Sequence, residues 1–361
     1  MEIIAKNAFP MCFIGNNKFL LYRNGNIIEY DAVRLKALGK YRIENSFCER
    51  ILGRLPLLLR FFRLGVQCAI PVNDTAVCYS LKGGIFEYDI EEHKKYGPSN
   101  LGEGIKPLAF SLIKNIPGFN DTIAFGGYMG NPLKKRVSIY GRKAANKWET
   151  LYTFDEGKIN HVHALIPDVK NECVWIFTGD FGDAAGIWQA KKNFKEVEPV
   201  LIGKQIYRGC VGFPVDGGLL YATDSHLEKN SIRFLKRTEN GWSSEKIMDT
   251  SGSCIQGCKV GDKYFFDSCV EGIGSFKNLF HFLVSKERGP GILDSMVRIY
   301  GGNLLEGFHE IYSQEKDNKP ISSFQFGMYD FASGENSHDY ILFRQMSTKK
   351  NCLSTIKLSV L

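Results

Sequence analysis

His161-Val162-His163-Ala164-Leu165-Ile166-Pro167-Asp168, followed after a polar turn by Cys173-Val174-Trp175-Ile176-Phe177-Thr178-Gly179-Asp180, pairs two strand-length apolar runs rich in β-branched and aromatic residues. The same arrangement recurs along the chain. Ala69-Ile70-Pro71-Val72-Asn73-Asp74 leads into Ala76-Val77-Cys78-Tyr79, and Gly212-Phe213-Pro214-Val215-Asp216 leads into Leu219-Leu220-Tyr221. Asn120-Asp121-Thr122 stands before Ile123-Ala124-Phe125 in the same way. Successive units begin roughly 42 to 69 residues apart, the spacing of propeller blades with loop insertions. Helical periodicity is almost absent, so the chain reads as all-β.

With four strands, a to d, in each unit, the a strands fall near residues 8, 66, 108, 161, 208, 253 and 322. The prediction is a β-propeller of seven four-stranded blades forming one domain over residues 1–361. Six blades is the alternative, because the first unit has a clear hairpin over Lys18–Tyr30 but no clear outer strand. The last unit supplies three strands, Ser323–Tyr329, Tyr340–Arg344 and Cys352–Leu358, so its fourth is expected from Met1–Lys6. Closing the ring in this way removes the open sheet edges.

Two insertions interrupt the rhythm, at about 47–64 and 286–307. Ile51–Leu64 is apolar with interspersed Arg, and Pro56 suits the first position of a short helix. It is expected to pack on the propeller as a plug or lid, with peripheral membrane contact through 51–64 as the lesser alternative. The second, with Gly289-Pro290-Gly291 and Gly301-Gly302, reads as a loop extension of the sixth unit.

Composition narrows the function classes. The chain is 44% hydrophobic and 24% charged, and no run approaches the roughly 18 to 20 apolar residues of a membrane-spanning helix. Glu2 stands where a signal peptide carries base, and ten irregularly spaced cysteines fit reduced thiols, so a cytoplasmic location is expected. Cys254 and Cys258 make the one close pair, more readily two buried thiols than a zinc site. A net charge of +7 favours anionic ligands but lacks the clustered base of a nucleic-acid binder. The run Lys134-Lys135-Arg136 reads as a solvated loop.

In a propeller the d-to-a and b-to-c connections gather around the axis on one face, here called the top. Those positions include Arg23-Asn24, Tyr128, His161 with His163, Asp180 to Asp183, Tyr207-Arg208, Asp224-Ser225-His226, Asp267-Ser268-Cys269 and Arg344-Gln345. They are polar at the ends of apolar strands, which makes the top face the expected pocket. His161 and His163 are two apart on a strand and so share a face, suiting a proton relay or a metal, though a structural histidine satisfies the same spacing. Asp180 and Asp183 flank Phe181-Gly182, where neighbouring carboxylates divide acid and base roles, or simply cap a turn. Arg208, Arg23 and Arg344 suit a carboxylate or phosphate clamp, with solvated rim charges as the plain alternative. Tyr207 and Tyr128 suit stacking on a sugar, whereas Trp188 belongs to a blade core.

The run from His161 to Asp168, then Trp175 to Trp188, Tyr207-Arg208-Gly209 and Tyr221 to Ser225, resembles sialidase-like β-propeller proteins associated with bacterial polysaccharide genes. The resemblance is specific over residues 160–235, where Gly182-Asp183-x-x-Gly186-Ile187-Trp188 stands in the place of a sialidase S-x-D-x-G-x-T-W box. It implies an association with carbohydrate. The expected function is thus a glycosidase or polysaccharide lyase acting on an acidic glycan in the axial pocket. Its catalytic candidates are Asp180, Asp183, Asp224, His161, His163 and His226, and its substrate-binding candidates Arg208, Arg23, Arg344, Tyr207 and Tyr128. No cofactor or metal is assigned. Alternatives are a non-catalytic propeller binding a glycan or a protein, and a metal-dependent lactonase-like hydrolase built on the His/Asp set.

Overall fold

The computed structural model describes residues 1–15, 17–43, 46, 51–99, 101–102 and 105–360. Among them the strands form seven four-stranded antiparallel sheets in ring order, each a blade of a propeller. The seventh is completed by the N-terminal strand Glu2–Ala5, which pairs with Thr355–Ser359 through Glu2↔Lys357, Ile3↔Ile356 and Ala5↔Thr355. Blade one has the outer strand that its sequence left indistinct, Ala37–Arg42, so the count is seven.

Blade four shows why its sequence lacks simple polar/apolar alternation. Its strands are His161–Asp168, Cys173–Gly179, Gly186–Lys191 and Glu196–Ile202. Val174 and Ile176 join a core with Ile139 and Phe154 of blade three, whereas Cys173, Trp175 and Phe177 join one with Leu219 and Tyr221 of blade five. Both faces of the strand are therefore covered, and a continuous apolar run is what burial on two sides selects. The two indole N–H groups have partners inside: Trp175 Nε1 donates to Asp168 Oδ2 at 2.9 Å and Trp188 Nε1 to Thr178 Oγ1 at 3.2 Å. Trp188 is a core residue, as its sequence context predicts. The outermost strand, Glu196–Ile202, is the most exposed of the four, with Glu196 and Glu198 in solvent and Val200 and Leu201 half-buried against the core.

Pro56–Phe61 is a short helix with Pro at its start. Leu59 packs with Met346 and Leu353, and buried Arg60 bonds Asp317 Oδ2 at 2.5 Å and the Phe324 carbonyl at 2.9 Å. The segment is thus docked on the ring, as the plug reading expects; residues 47–50 of that insertion lie outside the described residues. The second insertion sits earlier than 286–307. Met296–Asn303 is strand c of blade six, and the extension occupies 269–295, carrying the helix Leu279–Val284. Gly301 misled the sequence reading, since it serves close packing and not a turn: a Cβ there would come 2.7 Å from the Phe265 ring.

Ring closure carries a measurable consequence. Deleting residues 1–6 leaves Thr355–Ser359 as an unpaired edge. The expected result is a urea midpoint lower by about 0.5–1 M and concentration-dependent oligomers in size-exclusion chromatography. An unchanged midpoint with a monomeric profile would show that closure does not depend on this strand.

Candidate functional site

The top face opens into an axial cavity of about 300 Å³. Its walls include Lys106, Tyr128, Arg208, Asp224, Glu271 and Arg344, contributed by blades three, five, six and seven and their connections. The d-to-a and b-to-c connections do gather there.

The deepest polar cluster is built from blades four and five. The strand His161–Asp168 pairs with Cys173–Gly179 through His161↔Gly179, and an irregularity between Val162 and Ala164 lies beside His163. His161 Nε2 and His163 Nε2 are 2.9 Å apart, and each is 3.2 Å from Asp180 Oδ1. The other ring nitrogens face backbone carbonyls, His161 Nδ1 that of Met129 at 3.0 Å and His163 Nδ1 that of Gly209 at 3.1 Å. Asp180 is pinned at both ends of its residue, its N–H donating to Asn160 Oδ1 at 3.1 Å and its carbonyl accepting from Gln205 Nε2 at 2.8 Å. Tyr128 lies over His161 with ring centroids 4.4 Å apart. Burial pushes its phenol up.

Arg208 stands between two carboxylates, its Nη2 being 3.3 Å from Asp180 Oδ1 and 3.2 Å from Asp224 Oδ2. Only 7% of Arg208 is exposed, and its Nε and Nη1 have no hydrogen-bond partner among the described residues. Burial opposes its charge, but Asp224 and Asp180 outweigh it and strengthen its hold on the proton. For Asp180, burial pushes the carboxyl up, yet the His161 and His163 rings and the Arg208 charge around it bring it well below the carboxylate range. Its surroundings therefore favour the ionised form. Burial disfavours the charged form of His163.

Asp224 accepts the Cys210 thiol at 3.1 Å on Oδ2, while its Oδ1 is buried without a partner among the described residues. Across the same cavity, Glu271 accepts Ser253 Oγ at 2.6 Å. Burial first, and the charge of Asp224 second, push Glu271 up to about 7. Sequence reading missed Glu271, having followed the b-to-c connection of blade six only as far as Cys269. Two residues further along the same loop the signal was available. Asp267 is also raised to about 7 by burial, but its oxygens are occupied by Ile255 N, Gln256 N and the Cys269 thiol, which makes it an internal cap.

The remaining candidates separate. Arg23 is exposed in another groove with Lys40, Arg42 and Arg54, away from the axial cavity. Arg344 lines the cavity but is committed to Asp330 Oδ2, through Nε at 2.8 Å and Nη2 at 2.6 Å. Tyr207 packs against the core between blades four and five. Asp183 is exposed in a short turn, Gly182–Ala184, and no interaction joins it to Asp180 among the described residues, so the two do not form a divided acid/base pair. His226 is half-buried, its ring edge-on to Phe181 at 6.2 Å, and burial lowers its affinity for a proton. Two groups of side chains bring ligand-type atoms within metal-binding reach: His161, His163 and Asp180, and, sharing His163, a second with Cys210 and Asp224. Cys254 and Cys258 are free thiols pushed up by burial.

No family model matches the chain, and no curated protein matches its sequence. Solved structures match its shape. A chain of the mitotic checkpoint complex aligns with a TM-score of 0.56 at 8% identity, covering 99% of this chain and 91% of that one. An oligogalacturonate lyase in complex with manganese aligns with a TM-score of 0.53 at 10% identity, covering 96% and 90%. The propeller domain of Myceliophteria thermophila Swd1 aligns with a TM-score of 0.53 at 8% identity, covering 98% of each. At such identities the likeness is one of fold.

Proposed function

We propose that this propeller is an enzyme that cleaves an acidic glycan in its axial cavity. The observation that carries the proposal is a pair of carboxyls lining one cavity. Asp224 is paired with Arg208 and has one oxygen without a partner among the described residues, and Glu271 in the same cavity is raised to about 7 by burial. A carboxyl raised toward neutral pH suits a general acid, and a second carboxyl facing the same ligand supplies an acceptor for the proton. The sialidase-like resemblance of residues 160–235 and the presence of an oligogalacturonate lyase among propellers of this shape support an acidic sugar as the substrate.

In this proposal the unpaired Arg208 nitrogens donate to the sugar carboxylate, an interaction strengthened by removal from water. Glu271 protonates the leaving glycosidic oxygen as its bond to carbon breaks, and Asp224 takes a proton. For hydrolysis that proton comes from water. For elimination it comes from the carbon bearing the carboxylate, and a carbon–carbon double bond forms as the glycosidic oxygen leaves.

Incubation with oligouronates and sialylated oligosaccharides tests the proposal. Elimination yields an ultraviolet-absorbing unsaturated product, and hydrolysis yields new reducing ends without it. Because Glu271 acts in its protonated form, activity is expected to fall as pH rises through about 7. Glu271→Gln is expected to lower kcat by about 10²–10⁴-fold and to abolish that limb. Stability moves in the same direction. The folded-state pKa lies above the ordinary 4.5, so the stabilising contribution is complete below 4.5 and is lost as pH rises through about 7. Tight binding of such a glycan without turnover would sink the enzymatic proposal and leave a glycan-binding propeller.

A further inference from the structure

We propose that His161, His163 and Asp180 form a binding site for one divalent first-row transition-metal ion. A carbonyl oxygen can only accept a hydrogen bond. His161 Nδ1 facing the Met129 carbonyl, and His163 Nδ1 facing that of Gly209, must therefore each carry a proton. In the neutral imidazoles this leaves both Nε2 atoms as bare lone pairs. They point at one another across 2.9 Å and at Asp180 Oδ1 across 3.2 Å each. Three acceptor atoms thus converge with no donor among them; Arg208 Nη2, 3.3 Å from Asp180 Oδ1, reaches the carboxylate, and no bond joins it to either imidazole among the described residues, so a metal ion between the three would satisfy both Nε2 atoms together with Asp180.

The dimensions suit a metal ion. Ligand atoms each about 2.1 Å from a common ion lie roughly 3.0–3.4 Å from one another in octahedral or tetrahedral arrangement. The site also carries its supporting shell: each imidazole donates its far N–H to the backbone, which orients ring and tautomer in known metal sites, and Asn160 and Gln205 fix the backbone on either side of the Asp180 carboxylate. Two imidazoles and one carboxylate suit first-row transition ions, whereas magnesium and calcium favour all-oxygen sites. Asp180 remains about a quarter exposed, which leaves the ion a route in and open positions for water or ligand.

Metal binding needs no sugar, so the proposal stands or falls separately from the glycan proposal. Purified protein is dialysed against Zn²⁺, Mn²⁺ or Co²⁺, then assayed by elemental analysis with circular dichroism as a check of folding. The expected result is one equivalent per chain of at least one ion. Asp180→Asn and His163→Gln should weaken binding at least 100-fold, and His226→Ala should retain it. Should either ligand variant fail to fold, wild-type protein alone gives the answer: Mn²⁺ is expected to broaden the ring resonances of His161 and His163 most strongly among the seven histidines. Less than a tenth of an equivalent of all three ions, or undiminished binding by both folded ligand variants, would overturn the proposal. So would broadening that spares His161 and His163.

Discussion

Replacing Arg208 by Ala is expected to lower stability by about 3–5 kcal/mol and to abolish binding of acidic oligosaccharides. The cation sits 3.3 Å from Asp180 and 3.2 Å from Asp224, and nine-tenths of it is out of water. Its removal costs more than two hydrogen bonds, because Asp224 is left as a buried carboxylate whose remaining partner is a thiol. Asp180 keeps contact with water whereas Asp224 does not, so the larger share of the loss falls on Asp224. Arg208→Lys restores the charge without the planar donors, and should recover much of the stability while leaving sugar binding impaired. Urea unfolding of the three proteins and calorimetric titration with an oligouronate separate the two effects. Equal stability of wild type and Arg208→Ala at neutral pH would show that the Arg208–Asp224 pair is not part of what holds the site.

Trp175→Ala is the second large effect, expected at about 3–5 kcal/mol and lowering the urea midpoint by about 1 M or more. Trp175 is fully buried in the layer between blades four and five, edge-on to Trp242 at 5.0 Å between ring centroids. The substitution opens a cavity between two blades and also takes a donor from buried Asp168, whose oxygens keep the backbone and side-chain N–H groups of Asn171. Trp175→Phe keeps most of the packing and loses the N–H, so about 1–2 kcal/mol is expected. A similar loss in both variants would assign the effect to the hydrogen bond and not to packing.

Much of the fold was legible because strand-forming runs and turn residues are local signals that repeat. Six of the a strands were placed within about four residues of their starts, the last, Met328–Phe331, lies later than the expected Ser323–Tyr329, and Glu2–Ala5 occupies the vacancy that three strands at the chain's other end implied. Errors arose where a residue's job was set by something distant. Gly301 read as a turn but is kept small by Phe265, thirty-six positions earlier in sequence. Arg344 does reach the cavity, but its pairing with Asp330 on the neighbouring strand was not legible in the sequence. Arg23 occupies the predicted type of connection, yet it lies in a separate groove with Arg42 and Arg54.

What the sequence by itself determined is a propeller of six or seven four-stranded blades, the strand that closes the ring and most of the connections that meet on the top face; the strand Ala37–Arg42 made the count seven. These follow from backbone periodicity and from the topology it forces. What only the tertiary structure decided is which members of that set touch: His161 with His163 and Asp180, Arg208 between two carboxylates, and Glu271 near Asp224. Proton affinity, pairing and metal-ligand geometry depend on distances of a few ångström and on exclusion of water. Both are properties of packed blades, and residue spacing does not encode them.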